Sequence, residues 1–342
     1  MPRRSLTNPS FEQCGRGFPQ ALRRPTSTSV TMVGMYLQAI STDGVFSARH
    51  AANIGVDGTT LRRLVKDGDC HPLHRGWYAV DRPRDPREHH RRRTAALLQE
   101  YAGQVVASHG SAVVQLGLPT EAIDFGTVHL MWVDPKKPYQ AFSRTRIHET
   151  VLEPGLPLQD RTVHPALAVV QAGQTDPRAL VVAADAGMRA GMIEQADLVT
   201  ACSASKGQRG MTRVRAALGL CDPRHESPGE SLTAFVLHAL AYEFEPQFPP
   251  GTNGPGGKPQ YADFRISGTC VLVEFDGESK YSAADPEQAQ ALLFAEKRRE
   301  DRIRALGWEV VRLTWADLYR PDLVRAKIEA AIARGRSRPK AG

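Results

Sequence analysis

Two stretches decide how the last third of the chain folds: Tyr261-Ala-Asp-Phe-Arg-Ile266 and, after Ser267-Gly-Thr269, Cys270-Val-Leu-Val-Glu-Phe-Asp-Gly277. Both are short, apolar and rich in β-branched or aromatic residues, which is the signature of buried strands. Acids interrupt them at Asp263, Glu274 and Asp276. Side chains alternate across a strand, so Glu274 and Asp276 are expected on one face, about 7 Å apart. A third carboxylate on the neighbouring strand, Asp263, is then able to converge with them on one hard cation. Mg²⁺ favours a few carboxylates plus waters. Unpaired acids at the end of an apolar strand are otherwise costly. The structural alternative is that Asp263 and Glu274 cap turns or pair with Arg residues of a following helix.

The elements on either side fit this frame. Glu230–Ala241 reads as a helix with Leu232, Phe235, Val236 and Ala239 or Leu240 inward, and Phe244–Phe248 as a further early strand. Pro286–Leu306 reads as a long helix, Glu309–Leu313 as a β-branched strand, and Trp315–Tyr319 and Leu323–Ile332 as closing helices. The inward face of the long helix is expected to follow Ala289, Leu292 or Leu293, Glu296, Arg299, Ile303 and Leu306. A helix packed on a sheet rarely turns charged mid-face unless something polar lies opposite. Glu296 and Arg299 are therefore expected to look toward the acids.

Further upstream, Met35–Ile40 and Phe46–Asn53 read as helices and Gly55-Val-Asp-Gly58 as a turn with Asp57 as helix cap. Thr59–Lys66 follows as a second recognition-type helix, then a hairpin around Gly76. Leu61, Leu64 and Val65 face inward, leaving Thr60, Arg62, Arg63 and Lys66 outward. That order resembles a winged helix-turn-helix, in which the second helix enters the major groove and the wing touches backbone. On that reading Arg62, Lys66 and Arg75 meet phosphates, while Thr59, Thr60 or Arg63 reach base edges. The same order also suits a small helical domain with a solvated basic face. The run Arg87–Arg93 (REHHRRR) reads as a solvated helix face, with phosphate binding as the alternative. Val105–Ser108 and Thr127–Val133 read as strands, and Arg161–Ala172 and Ala179–Ala190 as helices. In Ser108-His-Gly-Ser111 no orienting carboxylate or nucleophile elbow accompanies the Ser/His neighbours, so the motif reads as a helix cap or turn.

The polar stretch Asp222-Pro-Arg-His-Glu-Ser-Pro-Gly229 reads as a joint. The expected division is a disordered extension over 1–30, with folding from near Met32 or Met35, then domains over 31–82, 85–221 and 226–335. The net charge of +7 biases the chain toward polyanions without fixing a fold. Five scattered cysteines without a CxxC pair argue against a zinc site or a disulfide framework and for a reducing cytoplasm. No apolar run is long enough for a membrane span, and the first thirty residues lack the apolar core of a signal peptide.

Tyr261-Ala-Asp-Phe264, Val273-Glu-Phe-Asp-Gly277, Lys280-Tyr281, Glu296–Arg302 and Gly307-Trp-Glu-Val-Val-Arg-Leu313 together resemble the PD-(D/E)XK nuclease superfamily, in the form similar to the very-short-patch repair endonuclease. Ser108-His-Gly-Ser111 and Leu116-Gly-Leu-Pro119 resemble AbiEi-type antitoxin proteins of actinobacteria and their phages. The resemblance implies an α+β multidomain chain. Its parts are an N-terminal winged helix-turn-helix, a central α/β antitoxin-like domain and a C-terminal α/β restriction-endonuclease-like core. It implies Asp263 as the central metal-binding aspartate, Glu274 as the acid of the half-motif, Glu230 as a helix-borne further ligand, and Mg²⁺ or Mn²⁺ as cofactor. Asp276 stands where the half-motif has its lysine, and Lys280 is the nearby lysine that would take that role or else lie in an exposed turn. The implied activity is metal-dependent endonucleolytic cleavage of DNA. The alternatives are an antitoxin-like transcriptional regulator that keeps a degenerate nuclease fold, with a cognate toxin as partner, and a phage-defence factor acting through other proteins.

Overall fold

The computed structural model describes residues 27–151, 153–251, 253, 257, 259–277 and 286–337, with backbone alone for 27–33, 286–293, 295 and 296. Most of the expected extension over 1–30, and Lys280 and Tyr281, lie outside the described residues. Among the described residues the chain is mixed α/β, with thirteen helices and three sheets. No described helix is long and apolar enough to cross a membrane. The chain forms two compact units that divide between Ala96 and Leu97.

The first unit opens with α1 (Ser27–Ile40), β1 (Val45–Ser47), α2 (Ala48–Asn53) and α3 (Gly58–Asp67), followed by the hairpin β2 (His71–His74) and β3 (Trp77–Ala79). Its antiparallel sheet has the order β1-β3-β2. The first helix begins eight residues before the expected Met35. The helix expected over Phe46–Asn53 is corrected to a strand followed by a shorter helix. Phe46 is fully buried opposite Tyr78, stacking on its ring at 5.7 Å, and the Ser47 hydroxyl caps the helix by accepting from His50 N at 3.1 Å. Aromatic packing across the sheet outweighs helical periodicity here. Asp57 caps α3 by accepting from Thr60 N at 2.7 Å, and this bond holds its carboxyl below the usual range. Gly68, at φ 83°, ends the helix in the left-handed region. Leu61 and Leu64 are buried as expected, and Val65 packs at the rim.

Helix α4 (Pro86–Glu100) carries the basic run, and the solvated face expected of it is corrected. Glu88, His90, Arg92 and Arg93 are buried. Arg92 bonds the Glu88 carboxylate at 2.8 Å and the Asp81 carbonyl at 2.7 Å. The Arg84 backbone N–H, then its guanidinium and Arg92, hold the Glu88 carboxyl down to about 2. Charge is buried here because it is paired.

The second unit contains two four-stranded sheets. The first comprises β4 (Val105–Ala107), β5 (Val128–Trp132), β6 (Gln140–Phe142) and β7 (Thr145–His148), in the order β4-β5-β7-β6, with β5 and β7 parallel. Five helices accompany it: α5 (His109–Gln115), α6 (Pro165–Thr175), α7 (Pro177–Arg189), α8 (Gln195–Ala204) and α9 (Met211–Leu218). α6 is apolar nearly all round and is buried from Pro165 to Gly173, which makes it the centre of this core.

The second sheet comprises β8 (Phe244–Phe248), β9 (Ala262–Ile266), β10 (Val271–Phe275) and β11 (Glu309–Leu313), in the order β11-β10-β9-β8. β10 and β11 are parallel, so the connection between them must cross over, and α11 (Pro286–Ala305) lies within it. Val271, Val273 and Phe275 pack with α10 (Pro228–Ala239), α12 (Trp315–Leu318) and α13 (Pro321–Arg336). Leu272 turns the other way, to Ile303 of α11. Leu306, expected inward, is 55% exposed, because the helix ends at Ala305 and Gly307 turns the chain at φ 92°. In α10, Leu232, Val236 and Leu240 face the core as expected, while Ala239 is exposed.

The expected joint at Asp222–Gly229 is not a boundary between compact units. The fully buried Asp185 of α7 accepts from His225 Nδ1 at 2.8 Å, Ser231 Oγ at 2.6 Å and Asp222 N at 2.7 Å. Arg189 adds a bond to the His225 carbonyl. At the start of α10, a β-carbon on Gly229 would overlap the Phe275 ring, which stands edge-on to Trp315 at 5.0 Å. Gly229→Ala is therefore expected to lower unfolding free energy by about 3 kcal/mol, the upper end for overpacking. An unchanged midpoint in chemical denaturation would contradict this packing.

Candidate functional site

The acids of the second sheet belong to one row that crosses all four strands. β9 and β10 pair Phe264 with Val273, so Asp263 lies level with Glu274. β10 and β11 pair Glu274 with Arg312. β8 pairs Pro246 with Phe264 and Phe248 with Ala262, which sets Gln247 level with Asp263. Gln247, Asp263, Glu274 and Arg312 thus run across strands whose other central positions are largely apolar.

Each member has a specific environment. Asp263 Oδ2 accepts from Phe275 N at 2.7 Å. Glu274 is buried, with Arg299 Nη2 at 2.6 Å and Arg312 Nε at 3.8 Å. Arg299 also donates to the Tyr261 carbonyl at 3.0 Å, so it spans the ends of β9 and β10. Arg312 Nη2 reaches Glu300 at 3.2 Å. The expectation that the helix turns a charged face to the acids therefore holds at Arg299. This guanidinium, also a candidate nucleic-acid contact on the sequence reading, is engaged with the protein at both partners. The side chain of Glu296 lies outside the described ones. Asp276 follows the strand end and continues the ladder by donating its N–H to the Leu313 carbonyl at 2.8 Å.

Glu230 occupies the first turn of α10. Its carboxylate accepts from Glu226 N at 2.8 Å, Ser227 Oγ at 2.8 Å and Gln247 Nε2 at 3.3 Å, while Ser227 Oγ accepts from Glu230 N at 3.2 Å. This is a helix cap tied to the polar row through Gln247. Gln247 sits at φ 52°, a strained value for a residue with a side chain. Sequence reasoning missed it, since a single glutamine between Pro246 and Phe248 carries no spacing signal. Glu230, Asp263, Glu274 and Asp276 do not bring three ligand atoms to one point.

The described residues do that in one place, at His109, His129 and His148, whose potential ligand atoms lie within 4.8 Å of one another. His129 and His148 come from parallel strands, with His148 opposite Met131 and thus one step along the same face as His129. His109 starts α5 directly after β4, where Ser108 N donates to the His129 carbonyl at 3.1 Å. His129 Nδ1 and His148 Nε2 are 2.9 Å apart, and the rings of His109 and His148 stack at 3.9 Å. Ser108 Oγ sits 3.1 Å from His109 Nδ1, and Ser111 Oγ accepts from His129 N at 2.8 Å. The Ser/His stretch is thus a strand-to-helix turn, as expected, but one that delivers its histidine to a cluster. Burial, then His148 and His129, push His109 well below the usual histidine range. Burial, then Arg146, push His148 down to about 4. The spacings 109, 129 and 148 follow no metal-site pattern, so nothing in the sequence marks the group.

In the first unit Thr59, Arg62, Arg63, Lys66 and Arg75 are exposed, while Thr60 is half-buried behind the Asp57 cap. Arg62 Nε also donates to the Gly58 carbonyl at 3.0 Å. Comparison with protein-family models and with curated proteins returns no match for the chain.

Proposed function

We propose that the protein binds DNA through its first unit and that the polar row of the second sheet is a metal-dependent endonuclease-type centre. The observation that carries the reading is the placement of Asp263 and Glu274 level on adjacent antiparallel strands, in a row that also joins Gln247, Glu230 and Arg299. Two neighbouring carboxylates are a fitting donor set for Mg²⁺ or Mn²⁺, which complete their shell with water. Asp263 and Glu274 would hold the ion, with water completing its shell. When bound, such an ion activates water and neutralises charge on a phosphodiester. The Phe275 N–H orients the Asp263 carboxylate, and Gln247 orients Glu230. Arg299 balances the charge of Glu274 and would meet a phosphate if that carboxylate took the ion. The test is cleavage of duplex, nicked, branched and single-stranded DNA by purified protein with Mg²⁺ or Mn²⁺.

The first unit supports the DNA-binding half of the reading. Its order of helix, strand, two helices and hairpin suits a winged helix, and Arg62, Arg63 and Lys66 are exposed on its third helix. Each phosphate contact adds about 0.9 to the slope of log affinity against log salt on duplex DNA. The Arg62→Ala/Lys66→Ala double variant is expected to lower that slope by about 1.8 on this account, read by fluorescence anisotropy. An unchanged slope would remove this helix from the interface.

A second reading is an antitoxin-like regulator that keeps the nuclease fold for binding alone. The contacts of Glu274 with Arg299 and Arg312 favour it, as does Asp276 at the place of the half-motif lysine. A promoter footprint without metal-dependent cleavage selects this reading.

A further inference from the structure

We propose that His109, His129 and His148 bind one divalent transition-metal ion of the zinc class, open on its remaining side to an adjoining cavity. Three separate elements deliver the rings: the start of α5, strand β5 and strand β7. Their potential ligand atoms already lie within 4.8 Å of one another. The ring centroids are 3.9, 5.1 and 5.2 Å apart, with interplanar angles of 13° to 28°. His129 Nδ1 and His148 Nε2 stand 2.9 Å apart, and three imidazoles leave a four-coordinate ion one open position.

The surroundings hold His109 at one ring nitrogen and at its backbone N–H. Ser108 Oγ takes His109 Nδ1, and Gln171, itself buried, accepts from His109 N at 3.3 Å. Second partners of this kind set ring orientation in metal-binding histidines. His109 is held at φ 50°, a left-handed backbone that a side chain adopts at a cost. That strain points the ring at its two partners. The open side faces a cavity of about 720 Å³, lined in part by Tyr139, Glu149, Gln174, Arg209 and Arg213. The space admits water or an exchangeable ligand.

The donor chemistry selects the ion. An all-imidazole set suits Zn²⁺, Ni²⁺, Co²⁺ or Cu²⁺ and disfavours Mg²⁺, which requires oxygen ligands. This site is thus separable from the carboxylate row of the second sheet. The three residues also lie far apart in the sequence, on elements that meet only in the folded protein.

The test uses the full chain, stripped of metal and dialysed against micromolar Zn²⁺ in excess Mg²⁺, which keeps the carboxylates from contributing. One equivalent of zinc retained per chain is expected. Co²⁺ in its place is expected to give visible ligand-field bands without the near-ultraviolet band of thiolate ligation. The His129→Gln/His148→Gln double variant is expected to lose more than about a hundredfold in affinity, since mutating only a hydrogen-bond partner of a ligand already costs about 10–100-fold. Its metal-free unfolding midpoint is expected to match that of metal-free wild type, which shows the fold intact. Absence of retained zinc in folded wild type overturns the proposal. So does equal retention by the folded double variant, or a thiolate band with Co²⁺.

Discussion

Asp185→Ala is expected to destabilise the second unit by about 3–5 kcal/mol, the usual cost of breaking a buried ionic network at one partner. Asp185 is fully buried, and its two oxygens take three bonds, from His225, Ser231 and Asp222. Burial raises its carboxyl above the ordinary range despite the lowering effect of His225 and the hydroxyl. Alanine leaves three buried or half-buried donors without their acceptor, each costing about 1–3 kcal/mol if nothing replaces it. The loss reaches the second sheet, because His225 packs on Phe264 at 5.5 Å and Ser231 lies on α10. At 2–4 °C per kcal/mol for a unit of this size, the unfolding midpoint falls by about 10 °C. Trp308 and Trp315 report from the second sheet, so their fluorescence is expected to shift together with the far-ultraviolet dichroism. Tryptophan signals that stay at the wild-type midpoint would contradict the single compact unit.

The other large effect is expected at Asp263. Asp263→Ala removes one of the two carboxylates level on adjacent strands and the acceptor of the Phe275 N–H. Loss of several kcal/mol of metal-assisted stabilisation corresponds to roughly a thousandfold in cleavage rate. Affinity for DNA is expected to stay within about twofold, because binding is assigned to exposed groups of the first unit and is dominated by phosphate contacts. A parallel fall in binding and cleavage would show that Asp263 acts on docking.

The second sheet is the part most legible in the sequence: CVLVEF and EVVRL are apolar β-branched runs, and the strands cover Val271–Phe275, one residue shorter than expected, and Glu309–Leu313, as expected. Phe46 misled because an apolar residue beside a helix satisfies helical and strand patterns alike, and only its partner Tyr78 decides. Arg92 and Glu88 misled because burial of charge depends on a partner and a covering surface that composition does not register. The polar stretch over Asp222–Gly229 looked like a linker, yet His225 answers to Asp185, forty residues earlier. At the site, Asp263, Glu274 and Arg299 were legible from strand and helix periodicity. Gln247 and the three histidines were not, since tertiary registry alone joins them.

The most direct measurement is a time course of DNA cleavage by wild type and Asp263→Ala at equal bound fraction, with Mg²⁺, with Mn²⁺ and with chelator. The account predicts metal-dependent products from wild type, none with chelator, and a rate roughly a thousandfold lower for the variant. Identical products from both proteins, or DNA that is bound by wild type and remains intact with either metal, would contradict it.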